Sequence, residues 1–371
     1  MTNAGVYVHV PFCSSKCKYC SFASSVQNRD GQNKYFQKLN QEILSSTANK
    51  HIKTIFFGGG TPSVVNEDML CQTLKTIRTH FDVSSDAEIT LEVNPNSVDK
   101  NKLNIYKQAG FNRISYGVQS FEDETLKLLG RTHVASDAFS AVELAKSVGF
   151  DNISIDLIIG ARQLNKEVFE KSILKMKDLG ITHISVYILM LEEGTRLFDE
   201  VKCGKLTPLS EEEVTKEYLY VQNALENHGF CQYEISNFAL KGKECKHNQN
   251  YWDSGEYYGF GLSSHSYLDE IRAENTSFLD DYLRFPIQNL VAFKEELGKN
   301  EKITEKIMLS LRTVRGLNLK ELENMGHDIL KEKEIIIKAL EANNMIKVEN
   351  GFLKIEKDKF VVSNQIILEL I

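Results

Sequence analysis

Tyr7-Val-His-Val-Pro-Phe-Cys13-Ser-Ser-Lys-Cys17-Lys-Tyr-Cys20 sets three cysteines, spaced CxxxCxxC, in a loop directly after a β-rich run, Val6–Val10. Three thiolates at this spacing can hold three irons of a [4Fe–4S] cubane and leave the fourth iron open to an amino-carboxylate chelator. A zinc site is the other reading; it needs a fourth ligand, which His9 can supply. Cys71, Cys203, Cys231 and Cys245 are scattered, and the total of 7 is odd. With no export signal ahead of them, clustered cysteines read as metal ligands rather than as a disulfide framework.

Outward from this loop, β-rich runs alternate with helical patterns to about residue 190. The strands are predicted at Val6–Val10, Thr54–Phe57, Glu88–Val93, Arg113–Val118, Asn152–Ile158 and His183–Leu189. Asn101–Ala109, Ala135–Val148 and Glu167–Leu179 carry apolar residues at helical spacing, and Gly110, Gly149 and Gly180 stand just past their ends. Such a repeated unit predicts an α/β fold, a parallel sheet curved into a partial or full barrel with function at the C-terminal strand ends.

After Leu191 the rhythm ends. A polar helix begins near Ser210-Glu-Glu-Glu; its acidic face, Glu211 to Glu217, is read as a solvated surface rather than a docking site. Aromatic loops follow from Tyr233 to Tyr267. From about Ile303 come helices and then Val348-Glu-Asn-Gly-Phe-Leu-Lys-Ile, where an Asn-Gly turn joins short strands in a winged-helix-like manner. The expected organisation is a barrel over 1–200, a connecting region over 201–290, and a smaller α+β domain, helical with a β-wing, over 291–371.

With 371 residues, 42% of them hydrophobic, the chain can bury a large core. A net charge of -7 gives no general attraction to nucleic acid or anionic lipid. Residues 301–371 hold 12 Lys plus Arg against 12 Asp plus Glu, so the wing lacks the electrostatic footprint of a nucleic-acid reader. Apolar runs long enough to form a transmembrane segment are absent, and a cytoplasmic location is expected.

CxxxCxxC followed by Phe57-Gly-Gly-Gly-Thr-Pro62 resembles the radical SAM superfamily. The resemblance implies a partial (β/α)6 TIM-like barrel, a [4Fe–4S] cluster on Cys13, Cys17 and Cys20, and S-adenosylmethionine (SAM) bound at the open iron. Gly58, Gly59 and Gly60 permit close backbone approach where a strand ends, although a plain tight turn would use them too. Polar residues then recur at or beyond the ends of successive strands: Glu92 in Leu-Glu-Val-Asn-Pro, Gln119 in Gly-Val-Gln-Ser-Phe, Arg131 in Leu-Gly-Arg-Thr-His and Asp156 in Ser-Ile-Asp-Leu-Ile. Together with Gly59, Gly60, Thr61 and Tyr7, they are similar to the SAM-binding set of the coproporphyrinogen dehydrogenase branch. Carboxylates there would hold ribose hydroxyls or the ammonium, and the arginine the methionine carboxylate.

Within that branch, the decarboxylating dehydrogenases resemble CxxxCxxCxC and carry a long N-terminal extension. Here Phe22 occupies the extra cysteine's place, and twelve residues precede Cys13. Lys246-His247-Asn-Gln-Asn-Tyr251-Trp252 instead matches HNxxYW, associated with the heme chaperones called HemW. Spacing alone favours an aromatic packing loop with a hydrogen-bonded His247. The resemblance makes His247 the heme-iron ligand, with Tyr251 and Trp252 covering a porphyrin face. His265, in the Tyr257-Tyr-Gly-Phe-Gly-Leu-Ser-Ser-His265-Ser stretch whose glycines read as a loop under the substrate or heme, is a second choice, and Cys245 is not expected to bind iron.

Two departures stand out: Gly160-Ala-Arg-Gln163 replaces a Gly-Leu-Pro-Gly-like turn, and Ile188 takes a position that is often polar. The resemblance thus implies a heme carrier served by a heme-acceptor protein and an electron donor, with no dedicated catalytic residue. The alternative is an oxygen-independent coproporphyrinogen III dehydrogenase.

Overall fold

The computed structural model describes residues 2–371. Six parallel strands, β1 (Asn3–Val10), β2 (His51–Gly59), β3 (Asp82–Val93), β4 (Arg113–Gln119), β5 (Ile153–Ile159) and β6 (His183–Ile188), pair in sequence order. Helices α1 (Arg29–Ser45), α2 (Glu67–His80), α3 (Lys100–Ala109), α4 (Asp123–Leu129), α5 (Ala135–Ser147) and α6 (Lys166–Asp178) connect them. The expected strands and helices are all present. Gly110 closes α3 with φ 104°, where a side chain would be strained, and its N–H bonds Tyr106 O at 3.2 Å.

Side chains alternate along each strand, and the two faces differ in chemistry. Ile55, Phe57, Leu91, Ile114, Ile155 and Val186 are buried under the helices, and Tyr116 OH donates to Ala141 O of α5 at 3.1 Å. The alternate positions Thr54, Glu88, Glu92, Arg113, Ser115 and Asp156 bring polar groups onto the concave face. A polar concave face suits a ligand vessel better than a barrel core packed with aliphatic layers.

The sheet does not stop with β6. After α7 (Arg196–Lys202) and α8 (Glu211–Asn227), β7 (Cys231–Gln232) and β8 (Asn237–Ala239) extend it past β6, with β8 antiparallel to β6. Beyond α9 (Lys246–Trp252), β9 (Glu256–Phe260) runs parallel beside β1. β10 (His265–Leu268), β11 (Ile271–Asn275) and β12 (Val291–Glu296) continue the sheet by antiparallel pairing, with α10 (Leu279–Arg284) between the last two. The segment 257–266, read from sequence as a loop under the substrate or heme, is therefore most of β9, a short turn and the start of β10, both strands of the main sheet.

The large sheet reaches Glu296, so the C-terminal helices begin with α11 (Lys299–Ser310). Then come β13 (Leu317–Asn318), α12 (Leu319–Asn324), α13 (Ile329–Glu332), α14 (Glu334–Ala342), β14 (Ile346–Glu349), β15 (Phe352–Ile355) and α15 (Ser363–Leu370). β13, β15 and β14 form a small antiparallel sheet, the wing that the Asn-Gly turn predicts. Among the described residues no helix is long and apolar enough to cross a membrane.

Candidate functional site

The loop after β1 carries the three cysteines to the C-terminal strand ends. Its stem is closed by Ser25 N–H donating to Pro11 O at 2.7 Å and Cys13 N–H to Ser25 O at 3.1 Å. Its middle is tied to α4 and α7: Lys18 N–H donates to Leu129 O at 3.0 Å, and Lys18 Nζ pairs with Glu200 at 2.9 Å. Cys13, Cys17 and Cys20 are partly exposed free thiols lining one cavity of about 430 Å³. Thr61 Oγ1 lies 3.7 Å from Cys13 Sγ, and Arg131 Nη1 donates to Cys17 Sγ at 3.3 Å. Burial, more than the neighbouring Cys17 and Cys13 sulfurs, pushes the Cys20 thiol up.

Among the described residues no three His, Cys, Asp or Glu side chains gather around a point that suits a single metal ion. Thiolates that each hold a different iron of a cubane need no such convergence. His9, the fourth ligand of the zinc reading, is engaged elsewhere: it is buried, with Nδ1 3.1 Å from Tyr7 OH and Nε2 2.8 Å from Ala23 O. The donor set fits the cubane and not tetrahedral zinc.

Gly59, Gly60, Thr61, Glu92, Gln119, Arg131 and Asp156 line the same cavity as the cysteines. Gly59 has φ 110°, and a side chain there would strike the His9 ring. A side chain at Gly60 would lie 2.7 Å from Phe12 O. Gly59 N–H donates to Glu92 Oε2 at 3.2 Å. Burial, aided by the Asp156 charge, nevertheless pushes Glu92 up to about 8. Burial also raises Asp156, although Ser115 Oγ donates to both its oxygens at 3.2 and 3.3 Å.

Gln119 holds φ 66°, an uncommon conformation for a side-chain-bearing residue, and one that clusters at functional sites. Arg131 Nη2 donates to Gly117 O at 2.9 Å and to Asn94, while its Nε is buried without a partner. Two carboxyls raised by burial and an unmet guanidinium N–H are the polar groups that an amino-carboxylate nucleoside would complete.

Tyr7 lines a neighbouring cleft with His9, and it stays close enough to Glu92 for that carboxylate, after burial, to raise its phenol. Conversely, Asn94, Ser115 and Tyr19 line the cavity without having been singled out. Ser115 was legible from the period-two alternation 115, 117, 119, and Asn94 from its place just beyond β3; for Tyr19 only its neighbour cysteines speak. Ile188 lines the cavity as well. The Gly160-Ala-Arg-Gln163 turn is held from α8: Gly160 N–H and Leu164 N–H donate to Glu217 at 3.0 and 2.6 Å. One end of the acidic helix face is thus buried and structural.

The HNxxYW segment is α9, which packs across β1 and β2. His247, expected from the resemblance to hold heme iron, is 1% exposed in the ligand-free chain. Both ring nitrogens are taken, Nδ1 by Thr54 Oγ1 at 2.7 Å and Nε2 by Tyr251 OH at 2.8 Å. Phe56 stacks on the ring at 5.2 Å, and burial followed by the Arg113 charge pulls its pKa to about 3. In this arrangement His247 locks α9 to the sheet, the packing role that spacing alone favours. Trp252 is half-buried at the end of α9. Cys245 is fully buried and donates to Glu88 at 3.5 Å.

Comparison with known proteins bears on the whole arrangement. Residues 7–176 match the Radical SAM superfamily. The chain is 36% identical over 330 residues, 87% of each chain, to a Bacillus subtilis protein named heme chaperone HemW. It is 36% identical over 318 residues to the Lactococcus lactis protein of the same name, covering 86% of this chain and 84% of that one.

This chain belongs to the radical SAM superfamily, in its HemW family.

Escherichia coli HemN, a coproporphyrinogen III oxidase described as a radical SAM enzyme, superposes with a TM-score of 0.86 over 100% of this chain and 90% of that one. At 22% identity, this shows that HemN and this HemW-family chain share a fold.

Proposed function

We propose that this chain is a heme chaperone: it binds heme and passes it to an acceptor protein. The observation that carries the reading is its 36% identity to proteins named heme chaperone HemW across 87% of its length. In this reading Cys13, Cys17 and Cys20 hold a [4Fe–4S] cluster. Gly59, Gly60, Thr61, Glu92, Gln119, Arg131 and Asp156 hold SAM beside it. When bound, the cluster supplies an electron that can cleave the sulfonium of SAM.

The chain's own residues do the positioning. Arg131 bonds Cys17 Sγ at 3.3 Å and keeps its Nε free for a carboxylate. Glu92, pushed up to about 8, carries a proton that it surrenders when a cationic ligand enters, so binding is coupled to proton release. Gln119, fixed at φ 66°, offers its amide to the ligand's hydroxyls. A heme-acceptor protein and an electron donor are the partners implied.

The test is transfer. Reconstituted protein loaded with heme, freed of excess and mixed anaerobically with an apo-hemoprotein, should lose its Soret band as the acceptor gains one. Formation of protoporphyrinogen from coproporphyrinogen, SAM and reductant, with no heme transfer, would establish the dehydrogenase instead.

A further inference from the structure

We propose that heme sits in the cleft beside the cysteine cavity, with His265 as its iron ligand. This rests on the heme-chaperone reading and adds the place and the ligand. The cleft, about 600 Å³, lies between the sheet and α11. That volume falls in the range of small-molecule and cofactor sites.

Its wall is aromatic. Tyr7 from β1, Tyr251 from α9, Tyr257 from β9, Tyr267 from β10 and Phe22 from the cysteine loop all face it. Tyr251 and Tyr257 meet edge to face at 4.7 Å, and Phe22 is 66% exposed. A flat apolar macrocycle is the kind of ligand that such a wall covers.

Two histidines line the cleft, and they differ in one decisive respect. His9 is buried with both nitrogens bonded. His265 is 52% exposed, and among the described residues its nearest charged partner is Glu274 at 3.9 Å, beyond hydrogen-bond distance. An imidazole with a free nitrogen, open to an aromatic cleft, is what heme iron requires of a protein ligand.

Arg272 stands at the same cleft, its guanidinium 5.8 Å from the Tyr267 ring, and is paired with Glu305 at 2.6 Å and Glu295 at 3.5 Å. A propionate would exchange with Glu305 for that cation. Burial raises the Tyr257 and Tyr267 phenols, which keeps them protonated and able to donate to a carboxylate. Ser21 and Phe22 line this cleft and the cysteine cavity alike, so heme here would share a wall with the cluster loop.

The experiment is ferric heme titration of the full chain, for wild type, His265→Ala and Leu309→Trp, which fills the cleft from α11. The Soret band is followed in all three, and Trp252 emission in the two that carry a single tryptophan. Circular dichroism confirms that each variant is folded. The proposal expects His265→Ala to lose the wild-type Soret position and to bind about tenfold more weakly, and Leu309→Trp to weaken binding by a similar factor. A wild-type Soret position in His265→Ala overturns the ligand assignment whatever Leu309→Trp does. Unaltered affinity in Leu309→Trp overturns the cleft. In both cases saturable wild-type binding leaves the chaperone reading standing, whereas no binding by wild type removes both.

Discussion

Replacing Glu92 by Gln should stabilise the ligand-free protein, and the gain should depend on pH in a defined way. Glu92 is held at about 8 against an ordinary 4.5, chiefly by burial and then by Asp156. A carboxyl whose folded pKa is raised prefers its proton in the folded state, so stability falls as pH climbs from 4.5 to 8 and levels off above. At about 1.4 kcal/mol per pH unit, the penalty is roughly 3 kcal/mol at pH 7 and approaches about 5 kcal/mol beyond pH 8.

In Glu92→Gln the new amide keeps an oxygen to accept from Gly59 N–H and carries no charge to desolvate, so the variant escapes the penalty. Urea unfolding of the apo forms at pH 5, 6, 7, 8 and 9 measures the difference. The gap between variant and wild type should widen to about pH 8 and then stay flat. A gap independent of pH, or one that closes towards pH 8, would refute the assignment of a raised Glu92. The same substitution should weaken SAM binding, since it removes the charge that a sulfonium-bearing ligand meets.

Other outcomes follow from the same structure. Cys13→Ala, Cys17→Ala and Cys20→Ala combined should abolish bound iron and sulfide after anaerobic reconstitution, as measured by elemental and sulfide analysis. Glu217→Ala removes the acceptor of the Gly160 and Leu164 N–H groups; it should cost about 2 to 4 kcal/mol and speed hydrogen exchange across 160–164. His247, lowered to about 3, gives stability that is intact above the unfolded value of about 6.5 and lost as pH falls towards 3. His247→Gln should flatten that acid limb in pH-dependent unfolding.

The barrel was legible because its signals are local. Period-two apolar runs marked β1 to β6, and Gly110, Gly149 and Gly180 marked helix ends through conformations that side chains resist. β9 was not legible: Glu256–Phe260 mixes Tyr with Gly, and only its pairing with β1, far away in the chain, makes it a strand. The cysteine cavity was legible because most of its residues stand on readable strands or just beyond their ends, where parallel sheets hold ligands; Arg131, which follows α4, is an exception. For Tyr7, the strand says which residues share its face but not which cavity that face meets. For His247, the i,i+4 relation to Tyr251 predicts their contact on one helix face. What lies over that face, Thr54 and Phe56 of β2, comes from tertiary packing, and no local pattern announces it.

The measurement that tests the heme-chaperone account most directly is the stoichiometry of heme binding to the anaerobically reconstituted chain, followed by the Soret band and by quenching of Trp252, its only tryptophan. The account predicts saturation near one heme per chain. Linear, unsaturable uptake, or no spectral change at all, would contradict it.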